Sequence, residues 1–145
     1  IEPYWQRMRS SADTTLAAIA AKAHKEVAYH LRYSGEWMIR LGDGTDESHR
    51  RAQQALEELW PYTGELFTAS AAEIALMPTG IAIDPATLRE SWHAVVTRVL
   101  SEATLTMPAD GWMHAGGREG KHSEHLGVML AEFQSLARTH PGATW

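Results

Sequence analysis

Glu26 and His30 are the two residues whose type and position could do chemistry in this chain. With Ala23 as reference and about 100° per residue, Leu16, Ile19, Ala20, Val27, Leu31, Trp37, Met38 and Leu41 fall within roughly 80° of it, and so do Glu26 and His30. A carboxylate and an imidazole on an apolar stripe must be paired, hydrogen-bonded or bound to a metal, because burying either alone is costly. In di-iron carboxylate bundles, two helices carry Glu-x-x-His and two others contribute a Glu, all facing inward. Here the spacing is Glu-x-x-x-His, which keeps the two on one face but one position wide of that pattern. The economical alternative is a structural polar pair, Glu26 satisfied by His30, holding helices in register.

Two further constellations compete with it. Glu90-x-x-His93 has the metal-binding spacing, but Glu90 lies about 160° from Trp92, the centre of its helix's apolar stripe, and is expected in solvent. His122-Ser-Glu-His125 is neither of the zinc-helix patterns. It stands at a helix start, where Ser123 is expected to cap and Glu124 suits the positive end of the dipole. His24 and His49 are expected at solvent-facing positions. Trp37, Trp60 and Trp92 read as core residues, and any left exposed would mark a partner surface. Serine-nucleophile and phosphate-loop patterns are absent.

The elements that must position these residues are helices. Ile1 to Met8 reads as the last turns of a helix. Ser11 or Asp13 caps a second that runs to about Leu41. Gly42-Asp43-Gly44 ends it, with glycine in a left-handed cap. Thr45 or Asp46 caps a third helix that reaches Trp60 and beyond, with Leu66 and Phe67 still at helical spacing, and Pro61 kinks it or ends its regular part. Glu65 to Asp84 has no clear period. Asp84-Pro85 starts a fourth long helix that runs to about Ala103, and a glycine-rich loop, Met107 to Lys121, leads to a last helix over Ser123 to Arg138. Leu126, Met129, Leu130, Phe133 and Leu136 form its stripe. The expected fold is all-α: a ferritin-like helical bundle, with one tight antiparallel turn and one long crossover, formed by residues 1–145 as a single domain.

Composition narrows the classes. At 145 residues and net charge −5, the chain is one domain without a basic tract, so nucleic acid is an unsuitable partner. The absence of cysteine excludes thiolate metal sites and disulfides and suits a reducing cytoplasm. No apolar run approaches the roughly 20 residues of a membrane span, and the N-terminus has no signal-peptide pattern.

The segments AKAHKEVAYHLRYSGEWMIRLGDGTDES, LEELWPYTGELF, GIAIDPATLRESW and GGREGKHSEHLGVMLAEFQSLARTHPGATW resemble, in order and through Trp145, the C-subunit family of ring-1,2-phenylacetyl-CoA epoxidases. These are the multicomponent monooxygenases of aerobic phenylacetate degradation. The resemblance implies a ferritin-like fold, of which this chain is the C-terminal portion, with the N-terminal helices missing. It implies that the di-iron centre belongs to a related A subunit, and that electrons come from NADPH through a reductase subunit. This chain then has no cofactor and no catalytic residue of its own, and it supports the A subunit alongside the other epoxidase subunits. Lys25 to His30 matches a family segment that is not a working ligand set, so Glu26 and His30 stand as a structural polar pair and only secondarily as metal ligands. The competing readings are a di-iron or di-manganese protein in its own right and a stand-alone helical module. A chain lacking its first helices is further expected to associate with copies of itself through the uncovered stripe.

Overall fold

The computed structural model describes residues 1–144. Trp145 lies outside the described residues. Six α-helices and several 3-10 turns, with no strand among the described residues, bear out the all-α expectation: α1 Glu2–Met8, α2 Thr14–Gly42, α3 Asp46–Leu59, α4 Ala71–Leu76, α5 Arg89–Glu102 and α6 His125–Thr139. Two compact units result, Ile1–His114 and Ala115–Trp145, where the sequence reading takes 1–145 as one domain.

Local chemistry explains most boundaries in the first unit. Asp13 accepts from the backbone N–H groups of Thr15 and Leu16, both at 2.9 Å, and so starts α2. Thr45 and Ser48 form a reciprocal capping box at the start of α3. In that first turn, Arg50 and Arg51 bind Glu47 and hold its carboxyl below the usual carboxylate range. Pro61 ends α3 as expected, and the chain continues as 3-10 turns over Trp60–Tyr62 and Gly64–Phe67. Asp84 caps a 3-10 turn, Pro85–Leu88, that runs directly into α5.

Two expectations need correction. The stretch from Glu65 to Asp84 contains α4, capped by a Ser70–Glu73 box. The end of α2 is not a left-handed glycine cap. Gly42 is its last helical residue, and Asp43 follows at φ −92°. Glycine is needed here for a different reason. A Cβ on Gly42 would overlap the Ala103 carbonyl oxygen and lie 2.8 Å from the Ala103 Cβ, so the end of α2 touches the end of α5 backbone to backbone. Around this contact Leu100, Ala103 and Leu105 form the buried core, against Met38, Ile39, Ala52, Leu56, Val96 and Met107. Thr104, with φ 57°, turns the chain just past α5 and donates its hydroxyl to the Gly42 carbonyl at 3.3 Å.

That core is small. The buried hydrophobic residues are Met8, Ala20, Trp60, Phe67, Leu88, Leu100, Ala103 and Leu105, all in the first unit. Trp60 and Phe67 close it at a second point, with ring centroids 5.7 Å and 5.3 Å from that of Trp92. In the second unit, α6 starts two residues later than expected. Glu124 occupies the N-cap without a side-chain bond, so Ser123 does not cap; its carbonyl accepts from the Leu126 N–H instead. The stripe of α6 is exposed, with Phe133 at 75%.

Two glycine substitutions should therefore have opposite signs. Alanine in an exposed helix interior gains about 1 kcal/mol over glycine. Gly127→Ala, with nothing within 4 Å of the new Cβ, is expected to raise helix stability by about that amount. Gly42→Ala should instead destabilise the first unit by about 1–3 kcal/mol, because backbone must move to admit the methyl group. Denaturant unfolding of both variants, followed by circular dichroism, checks the signs.

Candidate functional site

α2 carries the residues on which any chemistry would rest, and the structure turns it differently from the sequence reading. Its inner face carries Ala20, Val27, Leu31, Met38 and Gly42, which are buried or half-buried. Glu26 and His30 are both exposed. Relative to Tyr33, the inner residues lie near +150°, whereas Glu26 and His30 lie at about +20° and +60° by helical geometry. The stripe expected from sequence was centred about 70° away from the true inner face. Ile19, Trp37 and Leu41 pulled it round: all three are large and apolar, yet they are 49%, 43% and 44% exposed. The expected burial of Glu26 and His30 is thus corrected for this chain, and no hydrogen bond or ion pair joins them among the described residues.

The polar contact that does join elements is one the sequence reading placed in solvent. His24 Nε2 donates to Glu2 Oε1 at 2.8 Å, with side chains only 23% and 24% exposed, and ties α1 to α2. His24 lies on the inner side of α2 with Val27 and Leu31, a position that its distance from the misplaced stripe centre had concealed. His49 is likewise half-buried. Its Nδ1 donates to the Gly42 carbonyl at 2.7 Å and closes the α2–α3 turn.

The other constellations stay apart. Glu90 and His93 are exposed on α5, as expected for Glu90, and His93 Nδ1 lies 3.3 Å from the Thr97 hydroxyl. They edge an open depression with Asp110, Arg89, Trp60 and Trp92, in which Asp110 accepts from the Trp60 indole N–H at 3.1 Å. His122 and His125 are exposed at the start of α6. No three His, Asp or Glu side chains gather among the described residues as a metal site requires, so the residues present do not fit a di-iron centre.

The most distinctive surface of the first unit is apolar. Between α2, α3 and α5 runs an open groove with Leu31, Gly35, Met38, Leu59, Val95 and Val99 among its walls. It is continuous, through Leu31, Ser34, Trp92, Val95 and Val96, with a second groove reaching Ile1 and Pro3 and edged by His30 and Tyr33. The walls of both grooves are mostly apolar, with Glu2, His30 and Tyr33 at the edge of the second.

These positions make a contrast in stability. Glu26→Ala and His30→Ala should each change the stability of this chain by less than about 0.5 kcal/mol, as exposed substitutions do. A double-mutant cycle on Glu2 and His24 should instead show a coupling of about 1 kcal/mol. Thermal unfolding of the three sets at neutral pH and below pH 6 measures both.

Comparisons with known proteins identify the family. Residues 2–145 match the family described as phenylacetic acid catabolic protein. The chain is 52% identical over 139 residues to the C subunit of the 1,2-phenylacetyl-CoA epoxidase of Escherichia coli (strain K12). That match covers 96% of this chain and 56% of the relative, so the chain spans little more than half the relative's length. The all-helical architecture is consistent with the ferritin-like bundle of that family. With the family match and this identity in hand, the chain belongs to the phenylacetic acid catabolic protein family.

Proposed function

We propose that this chain is part of a non-catalytic structural subunit of a phenylacetyl-CoA ring epoxidase, one that pairs with and supports a di-iron catalytic A subunit in aerobic phenylacetate catabolism. The observation that carries the reading is the 52% identity to the C subunit of such an epoxidase along almost the whole of this chain. The geometry supports it. The polar residues on α2 converge on no reaction chamber, and the first unit offers extended apolar grooves suited to covering by other helices. On this reading iron resides in the A subunit, and NADPH supplies electrons through a reductase subunit. The work is done in the cytoplasm; no helix among the described residues is long and apolar enough to cross a membrane.

Glu26 and His30 then serve the assembly rather than the reaction: exposed here, they become a structural polar pair where other helices or subunits cover α2. Covering such a pair makes its two members depend on each other. In the assembled complex, Glu26→Met with His30→Leu should disturb stability less than either single change. The double variant should retain most phenylacetyl-CoA turnover. The test co-expresses the full-length polypeptide with the catalytic subunit, then measures co-purification, iron in each separated subunit, and turnover. Two iron atoms held by the chain bearing Glu26, or lost turnover in a double variant that still folds and assembles, would reject the non-catalytic reading.

A further inference from the structure

Residues 106–114 follow α5 as irregular chain, yet this strap is fastened along its length. The Thr106 N–H donates to Gln53 Oε1 at 2.9 Å, and Gln53 Nε2 donates back to the Thr106 carbonyl at 3.1 Å. The Trp60 indole N–H donates to Asp110, and the His114 N–H donates to the Pro61 carbonyl at 2.9 Å. Gly64 lies so close that a Cβ there would meet the Met113 Cβ and Cγ at 3.0 Å.

The fastening holds a cluster of rings at the surface. His114 lies flat on Tyr62, with centroids 4.0 Å apart and 6° between planes, and Trp112 meets His114 edge-on at 4.3 Å. Trp112 is nevertheless 74% exposed, and Tyr62 48%. Folding gains little from a tryptophan left in water. Side chains ordered before binding lose less entropy on association, and Trp and Tyr are enriched among binding hot spots. All three rings belong to the first unit, and none of them lines either apolar groove.

The charges around the cluster determine what it fits. Residues 53–67 and 106–114 hold four carboxylates, Glu57, Glu58, Glu65 and Asp110, and no Lys or Arg. By helical geometry Glu57 lies within about 60° of both Gln53 and Trp60, which bind the strap. It is exposed and accepts from Gln53 Nε2 at 2.8 Å. Glu57 and Glu58 stand in the last turn of α3, which has no basic residue there. A carboxylate at that end faces the negative pole of the helix dipole, an arrangement that a cation relieves. Arg89 shares a depression with Asp110, but its guanidinium stands over the Phe67 ring at 4.5 Å. Aromatic faces beside carboxylates suit a further guanidinium, a planar group that stacks on rings and pairs with carboxylates.

We propose that the Tyr62–His114–Trp112 cluster, with Glu57 and Asp110 beside it, is a protein-docking surface occupied by an arginine-bearing segment of the catalytic subunit. The identity of the partner rests on the function proposed above; the arginine chemistry rests on the cluster itself.

The test measures the affinity of the full-length polypeptide for the purified catalytic subunit by titration calorimetry. Trp112→Ala should weaken binding roughly tenfold or more, as loss of a hot-spot ring does. Glu57→Lys should weaken it by a similar factor. Replacing the exposed arginines of the catalytic subunit by glutamate, one at a time, should reveal one that restores the affinity of Glu57→Lys, which no merely structural effect of that change would allow. Unchanged affinity in Trp112→Ala, or the lack of any restoring arginine, would overturn the proposal and leave the pairing of the subunits standing. No binding by the unaltered polypeptide would reject the pairing itself, and the occupant proposed for this surface with it.

Discussion

The first unit hangs on the place where α2 and α5 meet without side chains between them. Gly42 and Ala103 bring the two backbones into contact, and the Gly42 carbonyl accepts from both His49 and Thr104. One residue thus ends α2, fixes the turn into α3, and sets the distance to α5. The core cluster of Leu100, Ala103 and Leu105 forms where that contact closes it, and it thins toward the other end of the helices, where the grooves open. Close packing at one end and open grooves at the other follow from helices that touch at a single small-residue junction and diverge from it.

Much of this scaffold could be read from sequence because it is set by local chemistry. Asp13, Thr45 and Asp84 start their helices where the capping preference puts them, and Pro61 stops α3. α4 was legible in the same terms, since Ser70-Ala-Ala-Glu73 is a capping box, but six residues are too short to show a period. Gly42 was read as a terminator and is one, though for a long-range reason. The residue that demands its missing Cβ lies some sixty positions later, and no local pattern points to it.

The orientation of α2 was not legible, and its misreading changed the apparent chemistry. Periodicity sums apolar residues without knowing which are covered. On a helix with apolar residues on two faces, the sum points between them. Ile19, Trp37 and Leu41 pulled the centre outward, which brought Glu26 and His30 into the supposed core and moved His24 out of it. The structure reverses both assignments. The imidazole that holds elements together is His24, bound to Glu2. Family resemblance reached the family of the chain without this detail, because it depends on the order of segments rather than on which face of one helix is covered.

A helix with two such faces explains why the chain buries so little by itself. α2 carries apolar groove walls on one side and, bordering them at Tyr33, the exposed and touching rings of Tyr29, Tyr33 and Trp37. A single α1–α2–α3–α5 layer can cover only the first, and that only in part. Any partner that binds the folded chain and not the unfolded one adds its binding free energy to stability by mass action. On the reading proposed above, the folding of α2 is coupled to assembly. Its small backbone junction with α5 supplies the register, and the surfaces around it supply the reasons to associate.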